Sequence, residues 1–171
     1  GQAFEGMSFP PYIASKVFLS KDATEKDLPA LRDEIFGSIE SSLRALKLQT
    51  LDLLLIHNTA LEHLRGEDIL ACLKEAQQQG KVRFLGASCY GEQVPLAALR
   101  KPSFRALQVP FNLLDQNLNT HLFPAAAAQD VGIFVRSAYL RGVLTRQVDS
   151  IPERLAPLKA RAVQALTVLG Q

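Results

Sequence analysis

Leu51-Asp52-Leu53-Leu54-Leu55-Ile56 is apolar at every position but one. A strand with one face in water alternates apolar and polar residues, and this one does not. It reads as buried on both faces, where the central strands of parallel sheets lie. The flanking segments fit that placement. Ile13–Phe18 reads as a short strand, and Leu28, Leu31, Ile35, Ile39, Leu43 and Leu46 then recur at helical spacing, with Asp27 available as the cap. Downstream, Ile69, Leu70, Leu73 and Ala76 mark a helix closed by Gly80, and Val82–Ala87 forms the next strand. A short helical piece near Leu96–Leu99 leads to the strand Ala106–Val109, ended by Pro110, which cannot donate to a ladder. Leu122–Gln129 reads as helix and Gly132–Val135 as strand. In the last helix Ser150 and Glu153 stand at capping-box spacing, and Pro157 implies one turn followed by a restart.

Five strand-helix units without interruption predict an α/β chain with a parallel sheet and right-handed crossovers, either doubly wound or closed as a barrel. No G-x-G-x-x-G follows any strand, so the dinucleotide fingerprint of a doubly wound domain is absent. Polar residues also recur at the C-terminal strand ends, at His57-Asn58, Ser88-Cys89, Gln108 and Arg136-Ser137. In a barrel those ends converge on the face where active sites are built. Such a barrel has eight strands and about 250 residues, whereas this chain has 171. The expectation is an open sheet or a piece of a larger (β/α) barrel, an incomplete one of about five of eight units, in a single domain over residues 1–171.

Composition removes other classes. Apolar residues make up 47% and charged residues 21%, with a formal net charge of +2, which argues against disorder and against nucleic-acid binding. Cys72 and Cys89 stand apart, with no C-x-x-C and no H-x-x-x-H, so no zinc scaffold is expected and the thiols read as free and cytosolic. No apolar run approaches the roughly 20 residues of a membrane span, and the first residues lack a secretory pattern. A cytoplasmic protein without membrane contact is expected.

Four segments, IASKV (13–17), SSLRALKLQTLDLLLIHN (41–58), GKVRFLGAS (80–88) and RSAYLRGVLT (136–145), resemble successive signatures of the aldo-keto reductases, in order through nearly the whole chain. The resemblance implies NADP(H)-dependent reduction of aldehydes and ketones, or oxidation of alcohols, on an eight-stranded barrel, with NAD an alternative cofactor. The family's tetrad of Asp, Tyr, Lys and His uses Tyr as proton donor, Lys to lower its pKa and His to orient the carbonyl. By motif, Lys16 matches the tetrad Lys and His57 the tetrad His. The Asp and Tyr should lie some tens of residues before the Lys, and only 15 residues precede Lys16; Tyr12 lies outside the family's Tyr-Gly turn, and the resemblance implies a barrel domain incomplete at both ends.

The same resemblance assigns cofactor contacts. Ser88 matches the Ser at the nicotinamide carboxamide, and Cys89 stands where the family usually has Asn, which weakens that hydrogen bond. Gln108 matches the Gln beside the amide. Arg136 occupies the place of an aromatic residue that stacks on the nicotinamide, and a planar guanidinium can stack too. Ser137, Tyr139 and the turn to Gly142 match the loop over the pyrophosphate, with Ala138 for the usual Pro leaving it less rigid. No metal site is expected.

Taken on residue type alone, Lys16 is an exposed or ion-paired lysine and His57 a satisfied core histidine; the motifs and strand-end positions reverse both readings. His63 and His121 are assigned to the surface, Cys72 to packing, and Asp52 to a structural contact. Two further readings are carried. One is a non-catalytic truncated barrel serving as a protein-interaction module, self-associating through its open sheet edges. The other is a barrel aldolase with Lys16 as Schiff-base amine.

Overall fold

A computed structural model describes residues 11–168. Five strands, β1 (Ala14–Val17), β2 (Leu51–Ile56), β3 (Val82–Ser88), β4 (Phe104–Pro110) and β5 (Gly132–Arg136), form one sheet in the order β1-β2-β3-β4-β5. Every neighbouring pair is parallel. Between them run α1 (Leu28–Leu46), α2 (Leu61–Arg65), α3 (Glu67–Gln78), α4 (Gln93–Leu99) and α5 (Leu122–Ala128), and α6 (Ala156–Val168) follows the sheet. This is the incomplete (β/α) barrel expected, with five strands in sequential order.

The local chemistry agrees with the periodicity. Asp27 caps α1 by accepting a hydrogen bond from the Ala30 N–H at 2.9 Å. Leu31, Ile35, Ile39 and Leu43 of that helix are buried. They meet Leu51, Leu54 and Ile56 of β2, Leu85 and Ala87 of β3, and Leu107 and Val109 of β4 in the main core. Among the described residues the other face of the sheet buries only a small apolar cluster of Leu53, Leu55 and Ala106. There Phe84 and Phe134 remain 45% and 50% exposed, so β2 alone is closely covered on both sides.

Where β3 leans on β4 the register shifts between Leu85 and Gly86. A Cβ on Gly86 would lie 2.1 Å from the Ala106 carbonyl oxygen and 2.7 Å from Leu55 Cδ2, so only glycine fits.

Two details depart from the sequence reading. The five-residue helix α2 was not expected. Ser150 does not cap a helix: its hydroxyl donates to the Gln147 carbonyl at 2.7 Å inside a 3₁₀ turn, Arg146–Ser150. As expected, a single turn, the 3₁₀ segment Glu153–Leu155, precedes a restart as α6, with Pro157 in its first turn. Leu144, Val148, Ala162 and Leu166 bury a separate small core between these turns and α6.

Candidate functional site

Register determines which side chains meet. Lys16 pairs with Leu55, Leu55 with Gly86, Gly86 with Ala106, and Ala106 with Gly132. One step toward the C-terminal ends, Ser88 pairs with Gln108 and Gln108 with Phe134. Successive side chains alternate faces, so these residues share the concave face, opposite the helices, and His57 directly after β2 joins the second row. The sequence-based site therefore assembles at one end of one face.

Ser88 is 2% exposed, and its hydroxyl donates to Gln108 Oε1 at 3.2 Å. That bond fixes the Gln108 amide with its NH₂ group still available as a donor. The strand ends are tied further by backbone bonds, with the Cys89 N–H donating to the Gln108 carbonyl at 2.8 Å and the Thr59 N–H to the Ser88 carbonyl at 2.8 Å. Lys16 is exposed, and among the described residues it has no hydrogen bond or ion pair. His57 is half-buried, with its ring 5.6 Å from that of Phe18 at an interplanar angle of 54°. An aromatic neighbour, not a carboxylate, thus sits beside the imidazole.

Cys89 lies elsewhere than its motif position suggests. It is 0% exposed and belongs to the core between sheet and helices, so its thiol is turned away from the concave face. Burial pushes that thiol up to about 12. What Cys89 offers at the strand ends is its carbonyl, which accepts from Arg136 Nη2 at 3.3 Å. The Arg136 guanidinium also stacks on Tyr90, with its Cζ 3.9 Å from the ring centroid. Tyr90 is a residue the sequence reading missed. Its partner is 46 positions away along the chain, and the signal available was only its place next to Ser88-Cys89.

The loop after β5 carries left-handed backbone at Ser137 (φ 60), Leu140 (φ 45), Arg141 (φ 54) and Gly142 (φ 92). Three non-glycine residues with positive φ in six positions store local strain. Short-range bonds hold it: Leu140 N–H to Ser137 O and Gly142 N–H to Tyr139 O, both 2.9 Å, and Thr145 Oγ1 to Gly142 O at 2.6 Å. Tyr139 is 69% exposed.

Around this site other polar residues do structural work. Asp52 accepts from the Ile13 N–H at 2.9 Å and from Arg83 Nη1 at 2.7 Å, and so joins the three segments at the opposite end of the strands. The bond from Ile13, then the Arg83 charge, hold its carboxyl below the usual range. His63 corrects a surface assignment: it is half-buried, its Nδ1 accepts from the Ala60 N–H at 3.2 Å at the start of α2, and burial lowers its pKa. His121 is exposed as expected, paired with Glu92 at 2.8 Å. Cys72 packs in the core. Among the described residues no group of His, Cys, Asp and Glu could hold a metal ion, and no helix is long and apolar enough to cross a membrane.

Known proteins share this fold. A protein of Schizosaccharomyces pombe described as "Putative aryl-alcohol dehydrogenase" is 30% identical over 131 residues, covering 72% of this chain and 36% of its own length. Aldo-keto reductase AKR11C1 from Bacillus halodurans superimposes with a TM-score of 0.72 at 22% identity, over 89% of this chain and 48% of that one. An aldo/keto reductase from Klebsiella pneumoniae, solved with NADP and acetate, gives 0.68 at 19% identity, over 94% and 54%. The chain thus spans about a third to a half of the length of these relatives. The model of the aldo/keto reductase family matches residues 4–169, nearly the entire sequence, and the chain belongs to that family.

Proposed function

We propose that this chain forms the nicotinamide-holding part of an NADP(H)-linked oxidoreductase acting on a small aldehyde or ketone, or on the corresponding alcohol. The observation that carries the reading is the Ser88–Gln108 hydrogen bond, set in one row with His57 at the C-terminal ends of parallel strands. The residues present fit such a cofactor. A fixed amide and hydroxyl complement a carboxamide, the Arg136 guanidinium complements a planar ring, and the loop from Ser137 through Tyr139 to Gly142 resembles the one the family lays over the pyrophosphate. When bound, NADP(H) supplies or accepts a hydride. NAD is compatible with the same contacts, because none of them concerns the 2′-phosphate in which the two cofactors differ.

In this reading His57 donates to the substrate oxygen and orients it. Lys16, without a carboxylate partner, places positive charge beside the same region and favours an anionic oxygen there. The thiol of Cys89 takes no part, since it is buried on the helix side. The family's Asp and Tyr have no matching positions in this sequence. A missing general acid costs typically 10²–10⁴ in rate, so the chain alone is expected to turn over little. Lys16 as a Schiff-base amine gains no support, since its side chain is exposed rather than enclosed in a pocket.

The test is titration of NADPH into the purified chain, followed by nucleotide fluorescence, with Gln108→Leu alongside. Saturable binding that weakens in the variant supports the reading; a folded chain that binds no nucleotide refutes it. A second reading has its own observation, the exposed Phe84 and Phe134 on the concave face and the open edges of β1 and β5. It makes the chain an interaction module whose partner is a second copy of itself, and sedimentation equilibrium decides it.

A further inference from the structure

Arg136 is held twice at the end of β5, by stacking on Tyr90 with Cζ 3.9 Å from the ring centroid and by donating to the Cys89 carbonyl at 3.3 Å. Both anchors lie at the end of β3. The guanidinium therefore reaches across the end of β4, where Pro110 is paired with Arg136. A guanidinium is planar, and Tyr90 covers one of its faces. No carboxylate neutralises it: among the described residues Arg136 belongs to no ion pair, whereas Arg32, Arg83 and Arg105 each have one. The result is a positive charge that is uncompensated, half-buried and unable to swing away without losing two contacts. It stands one step beyond the Ser88–Gln108 pair on the concave face.

We propose that the Tyr90–Arg136 stack makes this site discriminate between the two redox forms of its nucleotide, holding the reduced form and rejecting the oxidised one. This deepens, and rests on, the reading that Ser88, Gln108 and Arg136 face the nicotinamide. The oxidised nicotinamide is a pyridinium ring with a full positive charge, and the reduced ring is neutral. A neutral aromatic at this position attracts the oxidised ring, as any cation is attracted to a π face. A guanidinium held against it repels the same ring by direct Coulomb interaction. Two unit charges about 4 Å apart at a half-exposed position change an equilibrium by about tenfold, the low end of the range between water and a protein surface. The phosphates and the adenosine are identical in the two forms, so whatever attraction Arg136 exerts on them cancels in the ratio of affinities. Tyr90 is a positioning residue here: it acts by keeping the charge in place. A site of this kind loads the reductant and releases its spent form readily, while linkage moves the internal equilibrium of the bound nucleotide about tenfold toward the reduced form.

The experiment is calorimetric titration of NADPH and of NADP⁺ into the native chain, Arg136→Gln, Tyr90→Phe and Tyr90→Leu. Circular dichroism serves as the check on folding. The native chain is expected to bind NADPH about tenfold more tightly than NADP⁺. Arg136→Gln should bring the ratio down close to one by improving NADP⁺ binding, Tyr90→Phe should keep the native ratio, and Tyr90→Leu should lower it. A merely structural role would weaken both nucleotides alike and leave the ratio unchanged. A ratio that Arg136→Gln leaves unchanged overturns the proposal alone. A folded chain that binds neither nucleotide overturns the cofactor reading and this proposal with it.

Discussion

Replacing Gly86 by Ala adds one methyl group at the point where β3 and β4 approach most closely. The new carbon would sit 2.1 Å from the Ala106 carbonyl oxygen, 3.0 Å from the Ala106 carbonyl carbon and 2.7 Å from Leu55 Cδ2. Leu55 can change rotamer, but the Ala106 carbonyl is strand backbone and moves only if the ladder moves. Overpacking of a core costs typically about 1–3 kcal/mol, and a backbone obstacle places this variant at or above about 3 kcal/mol. Gly37 provides the internal control, because it lies in α1 with nothing within 4 Å of its ideal Cβ. There the same substitution gains about 0.5–1 kcal/mol, since glycine pays more entropy than alanine in a helix. Urea unfolding of both variants should therefore separate them by about 4 kcal/mol, which is more than 1 M in the midpoint at the usual slopes. Because Gly86 lies in the row directly beneath Ser88 and Gln108, Gly86→Ala should also weaken NADPH binding. Midpoints within 0.3 M of one another, a window of about 1 kcal/mol or less at those slopes, would refute the close approach of β3 and β4 and the register argued from it.

Two further outcomes are expected. Asp52→Ala removes the acceptor of the Ile13 N–H and Arg83 bonds and should cost about 1–2 kcal/mol at pH 7. Since the folded-state carboxyl is held below its unfolded value near 3.8, its contribution is complete above that value and disappears as pH falls through the lower folded one. The difference between native and variant chains should thus be flat from pH 7 to about 5 and shrink below about 4; a difference that grows on acidification contradicts the assignment. Cys89, pushed up to about 12 by burial, should carry about one thiolate per thousand molecules at pH 9. Iodoacetamide should modify it only as fast as the chain unfolds, and peptide mapping that finds it alkylated at the rate of a free thiol in the folded chain would contradict its burial.

Much of this was legible in the sequence because it is local. The uninterrupted apolar run of β2, the Asp27 cap and the polar residues at each strand end are all set by spacing within a few positions. From these the parallel sheet and the gathering of His57, Ser88 and Gln108 at its strand ends could be anticipated, whereas the order of the strands differs between a doubly wound sheet and a barrel and is not set by local spacing. The parts that escaped depend on distant partners. Cys89 follows Ser88 directly, and the alternation of faces along a strand sends consecutive side chains to opposite sides, so a motif match at both could not place both thiol and hydroxyl at one site. Tyr90 gains its role only from Arg136, on a strand two places away. His63 was read as surface because a histidine that caps a five-residue helix leaves no periodic trace. Ser150 has the spacing of a capping box, but its hydroxyl found a nearer acceptor in a 3₁₀ turn, a competition to which short polar side chains are prone.

The sequential strand order has a consequence for how such a chain comes off the ribosome. Among the described residues each strand pairs only with its neighbours in sequence, so none of the five waits for a distant segment before it can dock. The interval between successive strands is a loop and a helix, and closing it costs little more entropy for a longer insertion than for a shorter one. Synthesis from the N-terminus can therefore lay down the sheet one unit at a time, each new edge serving as the template for the next. An interruption in translation would leave a shorter stack of the same units, with the rows already completed still in register.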